Sequence, residues 1–273
     1  MIGLSTYAYL WRMSAANPEA NPEAMTLDDA IRDTAALGIR LFQICDHAPL
    51  AHLSDGELAD VRSLADDLGV TLEVGTRGTD PEALQRYLHI AGILGATLVR
   101  TMWTAGDDRP DAVEVERRLR EVLPQFEAAG VTLALETYEQ VTSSDLVALV
   151  EAIASPRLKI VLDPANTVAN LEHPADVTAR CLPHVANWHV KDFAFSRKDG
   201  WVGFALTSTP LGQGRLDYDG IRSALDARDG GTTSVNQIVE HWLPWQGDPE
   251  TTSRLEAEWT TKTIEHLRRK NND

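Results

Sequence analysis

Four residues of this sequence stand at the ends of apolar runs, and their types share one chemistry. Glu136 follows VTLAL, Asp163 follows LKIVL, His189 follows VANW and Glu240 follows NQIV. Singly, each has a plainer explanation. A glutamate after a strand is commonly a cap or surface residue, Asp163 before Pro164 can start a turn, a lone histidine can belong to the core, and Glu240 can pair with an arginine. Together they close the fifth to eighth apolar runs, and three carboxylates brought to one point with an imidazole repel strongly unless a cation lies between them. One shared divalent metal ion is the expectation. Three oxygens and a nitrogen, with positions left open for substrate, suit Mn²⁺, Mg²⁺ or Co²⁺, and Zn²⁺ is compatible; the donor set does not choose among them. A structural zinc would ask for thiolates in a closed shell.

Such an ion binds adjacent hydroxyl and carbonyl oxygens of a sugar and lowers the cost of an enediolate. Glu136 and Glu240, on runs five and eight, are suited to remove and return a proton from opposite sides of it. That acid–base pair would serve an isomerase, an epimerase or a lyase. Lys191 shares the strand end of His189 and is expected to bind a substrate carboxylate or phosphate, or to stabilise an enolate; its other use would be a salt bridge to Asp192 or a strand acid. Arg197 and Lys198 are placed to close over an anionic group, with Gly203, Gly212 and Gly214 giving a lid-like flexible backbone. Glu73 and Arg100 interrupt apolar runs three and four, and are expected to pair with each other or to face substrate. Trp103, Trp188 and Trp242 offer faces to a sugar ring or to packing, Tyr7 and Asp46 end the first two runs, and strand alternation points His241 away from the metal.

The elements that must position these residues alternate along the chain. Apolar runs at Ile2–Ala8, Leu41–Cys45, Val70–Val74, Thr97–Trp103, Val131–Leu135, Leu158–Leu162, Val185–Val190 and Val235–Val239 read as strands. Helical patterns fall between them: Thr26–Leu37, a helix opened by Ser54, Asp80–Leu94 stopped by Gly95, and Asp111–Ala129 stopped by Gly130. The second half adds Asp145–Ala154 with Ser143 as its cap, Pro174–Cys181, Asp217–Ala227 and Glu250–Arg268, with a long glycine-rich connection over Phe193–Gly214. Eight strand–helix units in 273 residues predict an α/β fold, a single (β/α)₈ TIM barrel forming one domain over 1–273. In that fold, chemistry sits at the carboxyl ends of the strands. No GxGxxG follows a strand and no GxxxxGK[ST] is present, which argues against dinucleotide or nucleotide chemistry.

Lys plus Arg total 25 against 41 Asp plus Glu, a formal charge of −16 that repels nucleic-acid backbones and anionic membranes. No nucleic acid and no membrane are therefore expected as partners, and the metal chemistry above makes a small carbohydrate the expected one. No 18-residue apolar stretch and no basic leader appear, and Cys45 and Cys181 make no disulfide framework or CxxC motif, so a cytoplasmic setting is expected.

The segments LALETYEQ, IVLDPANTV, NWHVKDF and IVEHW resemble the xylose-isomerase-like TIM-barrel superfamily, which includes sugar phosphate isomerases and epimerases and the AP-endonuclease branch. In its ketose 3-epimerases a Glu, Asp, His, Glu set binds one Mn²⁺-type ion. The resemblance implies that Glu136, Asp163, His189 and Glu240 are the ligands, that the two glutamates are also the acid–base pair, and that a homo-oligomer forms. Asn166 stands where those epimerases carry a substrate-binding histidine; it is expected to bind substrate in that place, and the change counts against epimerisation of a free ketose. The stretch from His189 to Asp217 is similar to a subgroup of lyases and decarboxylases acting on oxidised sugar acids, such as 3-oxo-isoapionate decarboxylase. The leading expectation is a metal-dependent sugar isomerase or epimerase, with a metal-dependent decarboxylase as alternative. DNA repair and non-catalytic sugar binding rank lower, the former because no second cluster of metal-ligating histidines is evident.

Overall fold

Each apolar run that the sequence marks as a strand is buried on both faces, as a parallel sheet wrapped in helices requires. The computed structural model describes residues 1–13, 24–198, 200, 202–228 and 235–271. The strands are Ile2–Ser5 (β1), Leu41–Cys45 (β2), Thr71–Gly75 (β3), Leu98–Thr101 (β4), Thr132–Glu136 (β5), Leu158–Leu162 (β6), Val185–Val190 (β7), Asp192–Arg197 (β8), Phe204–Thr209 (β9) and Asn236–Val239 (β10). Among the described residues, eight of them close in the order β1-β10-β7-β6-β5-β4-β3-β2, every neighbour parallel. The chain folds as the expected single (β/α)₈ barrel. The polar loop between the first strand and the first helix lies largely outside the described residues.

Helices Leu27–Ala36 (α1), Asp55–Leu68 (α2), Pro81–Leu94 (α3), Ala112–Ala129 (α4), Ser143–Ile153 (α5), Pro164–Thr167 (α6), Pro174–Cys181 (α7), Tyr218–Ala227 (α8) and Pro249–Asn271 (α9) cover the barrel. Their ends follow local chemistry. Ser54 and Glu57 form a capping box at α2, and Gly95 and Gly130 take left-handed φ of 67° and 70° after α3 and α4. The cap of α5 is Thr142, one residue before the expected Ser143, because the Thr142 hydroxyl accepts the Asp145 N–H. The first strand stops at Ser5, and Thr6–Ala8 turn into a 3₁₀ segment.

The expected glycine-rich connection after β7 is instead an antiparallel hairpin, β8 with β9, paired from Asp192↔Thr209 to Arg197↔Phe204. The loop that returns from it to α8 is fixed by Asp192, whose carboxylate accepts the backbone N–H groups of Phe193, Gly212, Gly214 and Leu216 at 2.8–2.9 Å. Gly214 is required there, since a Cβ would lie 2.2 Å from Asp192 Oδ1 and 2.3 Å from the Phe193 carbonyl oxygen.

Outward side chains of the strands meet the helices in one continuous core. Trp188 on β7 is fully buried and stacks on Tyr218 of α8, ring centroids 5.1 Å apart. The inward side chains are different in kind. Beside a small apolar group of Leu98, Ala134 and Val161, the barrel interior holds buried polar residues from several strands.

Candidate metal centre

Residues two apart on a strand share a face, so Asn187, His189 and Lys191 at β7 all turn into the barrel. Glu136 is the last residue of β5, Asp163 directly follows β6 and Glu240 directly follows β10. The register, Ile238 opposite His189 and Glu136 opposite Val161, sets these ends at one level. One donor atom each of Glu136, Asp163, His189 and Glu240 lies within 4.8 Å of the others, and all four residues are buried.

The arrangement fits a cation. His189 Nδ1 is 3.3 Å from Glu136 Oε1 and 3.4 Å from Glu240 Oε1, yet has no aligned hydrogen-bond partner among the described residues. Its Nε2 lies 2.8 Å from Gln43 Oε1, so Nδ1 is the nitrogen turned toward the carboxylates. Asp163 Oδ1 accepts the N–H groups of Ala165 and Asn166 at 3.0 and 3.2 Å, which leaves Oδ2 facing the cluster.

The positive charge in the cluster is not left to an ion alone. Lys191 Nζ lies 2.7 Å from Asp163 Oδ2 and 3.0 Å from Glu240 Oε2, over the Trp242 ring at 4.4 Å from its centroid. Arg100 donates through Nε to Glu136 and through Nη1 to Asp46 at 3.1 Å. The mutual repulsion inferred from the sequence is therefore partly relieved by fixed side chains. Burial opposes the charge of Glu136, but Arg100 and His189 outweigh it and hold its carboxyl down at about 2. Glu240, buried likewise, is held well below the ordinary carboxylate range by His189 and Lys191. Burial dominates at Asp163 and raises it to about 6, against the pull of Lys191. Burial works against a charged His189, yet Glu240 and Glu136 raise it to about 10.

Asn166 and Arg100, both expected to bind substrate, do join the cluster, and each holds Glu136. Asn166 Nδ2 donates to Glu136 Oε1 at 2.8 Å, and its Oδ1 accepts from Lys191 at 3.3 Å. Arg197 does not join it: it lies at the exposed end of β8, its guanidinium 4.6 Å from the Phe204 ring centroid. Glu73 and Arg100 do not pair with each other. Glu73 sits among amides, accepting from Gln43, Asn187 and Asn236, each at 2.8 Å. Lys191 takes strand acids and Asn166 as partners rather than Asp192. His241 turns away, buried edge-on to Trp259, and burial pushes it down to about 3. Trp103 is also a packing residue, its indole donating to the Pro110 carbonyl at 3.1 Å.

Tyr7, Asp46 and Arg77 form a linked group at the mouth: Tyr7 donates to Asp46 at 2.7 Å, and Arg77 reaches both. They line a pocket of about 530 Å³ that holds none of the four cluster residues itself; its Asp46 is hydrogen-bonded to Arg100, which in turn holds Glu136. A larger groove of about 970 Å³ runs between α7, α8 and the hairpin and includes none of the cluster residues. Ser5, Gln43 and Arg77 were not expected at the site; Ser5 donates to Glu240 Oε1 at 3.0 Å. Gln43 had a signal, a polar residue inside LFQIC, whereas Arg77 sits in a loop with none.

A family model described as the xylose isomerase-like TIM barrel matches residues 31–263. The chain belongs to that family. It is 46% identical over 270 residues to 3-oxo-isoapionate decarboxylase of Pectobacterium atrosepticum, covering 99% of this chain and 96% of that protein. Among solved structures, it is similar in fold to D-psicose 3-epimerase with D-tagatose from Clostridium cellulolyticum H10, with a TM-score of 0.74, 15% identity and 98% of each chain covered. A xylose isomerase-like TIM barrel protein from Mycobacterium smegmatis in complex with magnesium matches with a TM-score of 0.67 and 20% identity, over 87% of this chain and 88% of that one. Among the described residues, no helix is long and apolar enough to cross a membrane.

Proposed function

We propose that this chain is a divalent-metal-dependent decarboxylase of a 3-oxo sugar acid, of the kind named for its Pectobacterium relative. The observation that carries the reading is the ammonium of Lys191, fixed inside the ligand cluster between Asp163 and Glu240. A cation there offsets the developing enolate or enediolate in either reaction, but a substrate that arrives as a carboxylate has a second use for it that a neutral sugar lacks. The 46% identity along nearly the whole chain supports the same outcome.

In a 3-oxo acid the bond to the carboxylate breaks, CO₂ leaves without the bonding pair, and that pair becomes an enolate shared with the 3-oxo oxygen. Glu136, Asp163, His189 and Glu240 would hold the ion, with Mn²⁺ the expected one. When bound, it supplies Lewis acidity toward the substrate's oxygens. Lys191 attracts the carboxylate on arrival and then offsets the charge that develops on oxygen. Glu240, 3.0 Å from Lys191 Nζ, forms with it a pair able to pass a proton to the carbon that CO₂ has left. Water restores that proton. Asn166 and Arg100 keep Glu136 in place, and Arg100 also holds Asp46, which lines the mouth pocket where the rest of the carbohydrate would bind. A cytoplasmic setting agrees with the two buried, free cysteines.

A second reading is favoured by one feature, the approach of both Glu136 and Glu240 to His189 Nδ1, at 3.3 and 3.4 Å. Two carboxylates so placed could take and return a proton, as an epimerase requires. Purified protein loaded with Mn²⁺ is expected to release labelled CO₂ from a carboxyl-¹³C 3-oxo sugar acid and to place one deuterium on the vacated carbon in D₂O. Exchange of deuterium into a ketose with all carbons retained, and no CO₂ from the acid, would favour the epimerase and sink the decarboxylase.

The same site predicts how metal uptake depends on pH. A ligating imidazole must be neutral, and without an ion His189 stays protonated up to about pH 10. Below that value the ion displaces a proton, so Mn²⁺ affinity should rise about tenfold per pH unit between pH 7 and 9. Below about pH 6, protonation of Asp163 makes the loss steeper. Titration calorimetry in buffers of different ionisation enthalpy reads the released proton; a flat affinity across this range would remove His189 from the ligand set.

A further inference from the structure

His189 and Gln43 meet through Nε2 and Oε1 at 2.8 Å. An amide can present either end, so whatever fixes Gln43 also decides which imidazole nitrogen carries the proton. Two neighbours fix it. Gln43 Nε2 donates to Glu73 Oε2 at 2.8 Å, and Cys45 Sγ donates to Gln43 Oε1 at 3.0 Å. Turning the amide over would set its oxygen against a carboxylate and its hydrogens against a thiol.

Glu73 is pinned in its turn. Asn187 Nδ2 shares Oε2 with Gln43 at 2.8 Å, and Asn236 Nδ2 occupies Oε1 at 2.8 Å. Burial favours the neutral form of Glu73, but the three N–H donors on its two oxygens favour the carboxylate, which accepts only. Gln43, Glu73 and Asn187 are all buried, on β2, β3 and β7, so rigid strands rather than loops hold the chain of bonds.

We infer that Glu73 is a positioning residue of the metal centre: through Gln43 it holds His189 in the tautomer that offers a bare Nδ1 to the ion. The inference rests on the metal reading above and extends it to β3, two strands from the nearest ligand on β5. A histidine free to adopt either tautomer would present a proton to the ion part of the time, and loss of such an outer hydrogen bond typically weakens metal binding 10- to 100-fold.

The test compares wild type with Glu73→Gln, which keeps the size of the side chain but faces its neighbours with donors and lets Gln43 turn. Calorimetry with Mn²⁺ alone is expected to give a Kd raised at least about tenfold in the variant, with the circular dichroism spectrum retained. Independently of any variant's folding, ¹⁵N-histidine NMR of the Mg²⁺-loaded wild type is expected to show His189 protonated at Nε2 and bare at Nδ1, assigned by loss of its signals in His189→Asn. An unchanged Kd in Glu73→Gln, or a proton on Nδ1 in the loaded wild type, overturns the inference while leaving the metal reading intact. A wild type that takes up neither ion overturns both.

Discussion

Glu240→Gln is expected to lower the turnover of the metal-loaded protein by about 10³, the usual scale for losing a group that moves a proton in the reaction. The side chain has three jobs in the cluster. Its Oε1 lies 3.4 Å from His189 Nδ1 and accepts from Ser5 at 3.0 Å, while Oε2 holds Lys191 at 3.0 Å. Glutamine preserves the shape but can neither carry the proton nor bring a charge to the ion, so Mn²⁺ affinity should fall as well. The barrel itself should persist, because the strands on either side of β10 are held by their own ladders. Steady-state rates at saturating Mn²⁺, paired with calorimetry, separate the two effects. Full turnover at saturating metal would show that Glu240 moves no proton.

The four cluster residues were legible in the sequence because each breaks a local rule: a charged or imidazole side chain where an apolar strand has just ended. The eight strand–helix units were legible for a related reason, since apolar periodicity, Ser54 and the glycines at 95 and 130 act within a few residues of themselves. Contacts across the barrel carry no such signature. Arg100 meets Glu136 and Asp46, and Glu73 meets Gln43, Asn187 and Asn236, through strand register and alternation that no spacing between adjacent runs encodes. The hairpin escaped notice because the glycines at 200, 203, 212 and 214 outweighed the alternation in FAFSR and FALTST. Lys191 was marked for its neighbourhood, but that it would counter the carboxylates of Asp163 and Glu240 depended on the turn of the chain at the end of β7.

Lys191→Met should separate metal binding from turnover in a way no ligand variant can. The ammonium is 3% exposed and lies 2.7 and 3.0 Å from the carboxylates of Asp163 and Glu240, which a divalent ion also needs. Methionine keeps an unbranched chain of similar length against Trp242 while removing the charge. In the metal-free protein, two buried carboxylates lose their counter-charge, and breaking a buried pair in this way costs about 3–5 kcal/mol. Mn²⁺ can make good that loss, because it binds the same oxygens and no longer meets a like charge beside them. The variant is therefore expected to unfold at a lower temperature without metal, to gain more from Mn²⁺ than wild type does, and to bind the ion more tightly. Decarboxylation should nevertheless slow by about 10²–10³, since the substrate carboxylate and the developing enolate both lose their cation. Thermal unfolding with and without Mn²⁺, calorimetry and CO₂ release together read all three. Tighter metal binding with undiminished CO₂ release would reduce Lys191 to a counter-charge of the resting site, and the decarboxylase reading would lose the residue on which it stands.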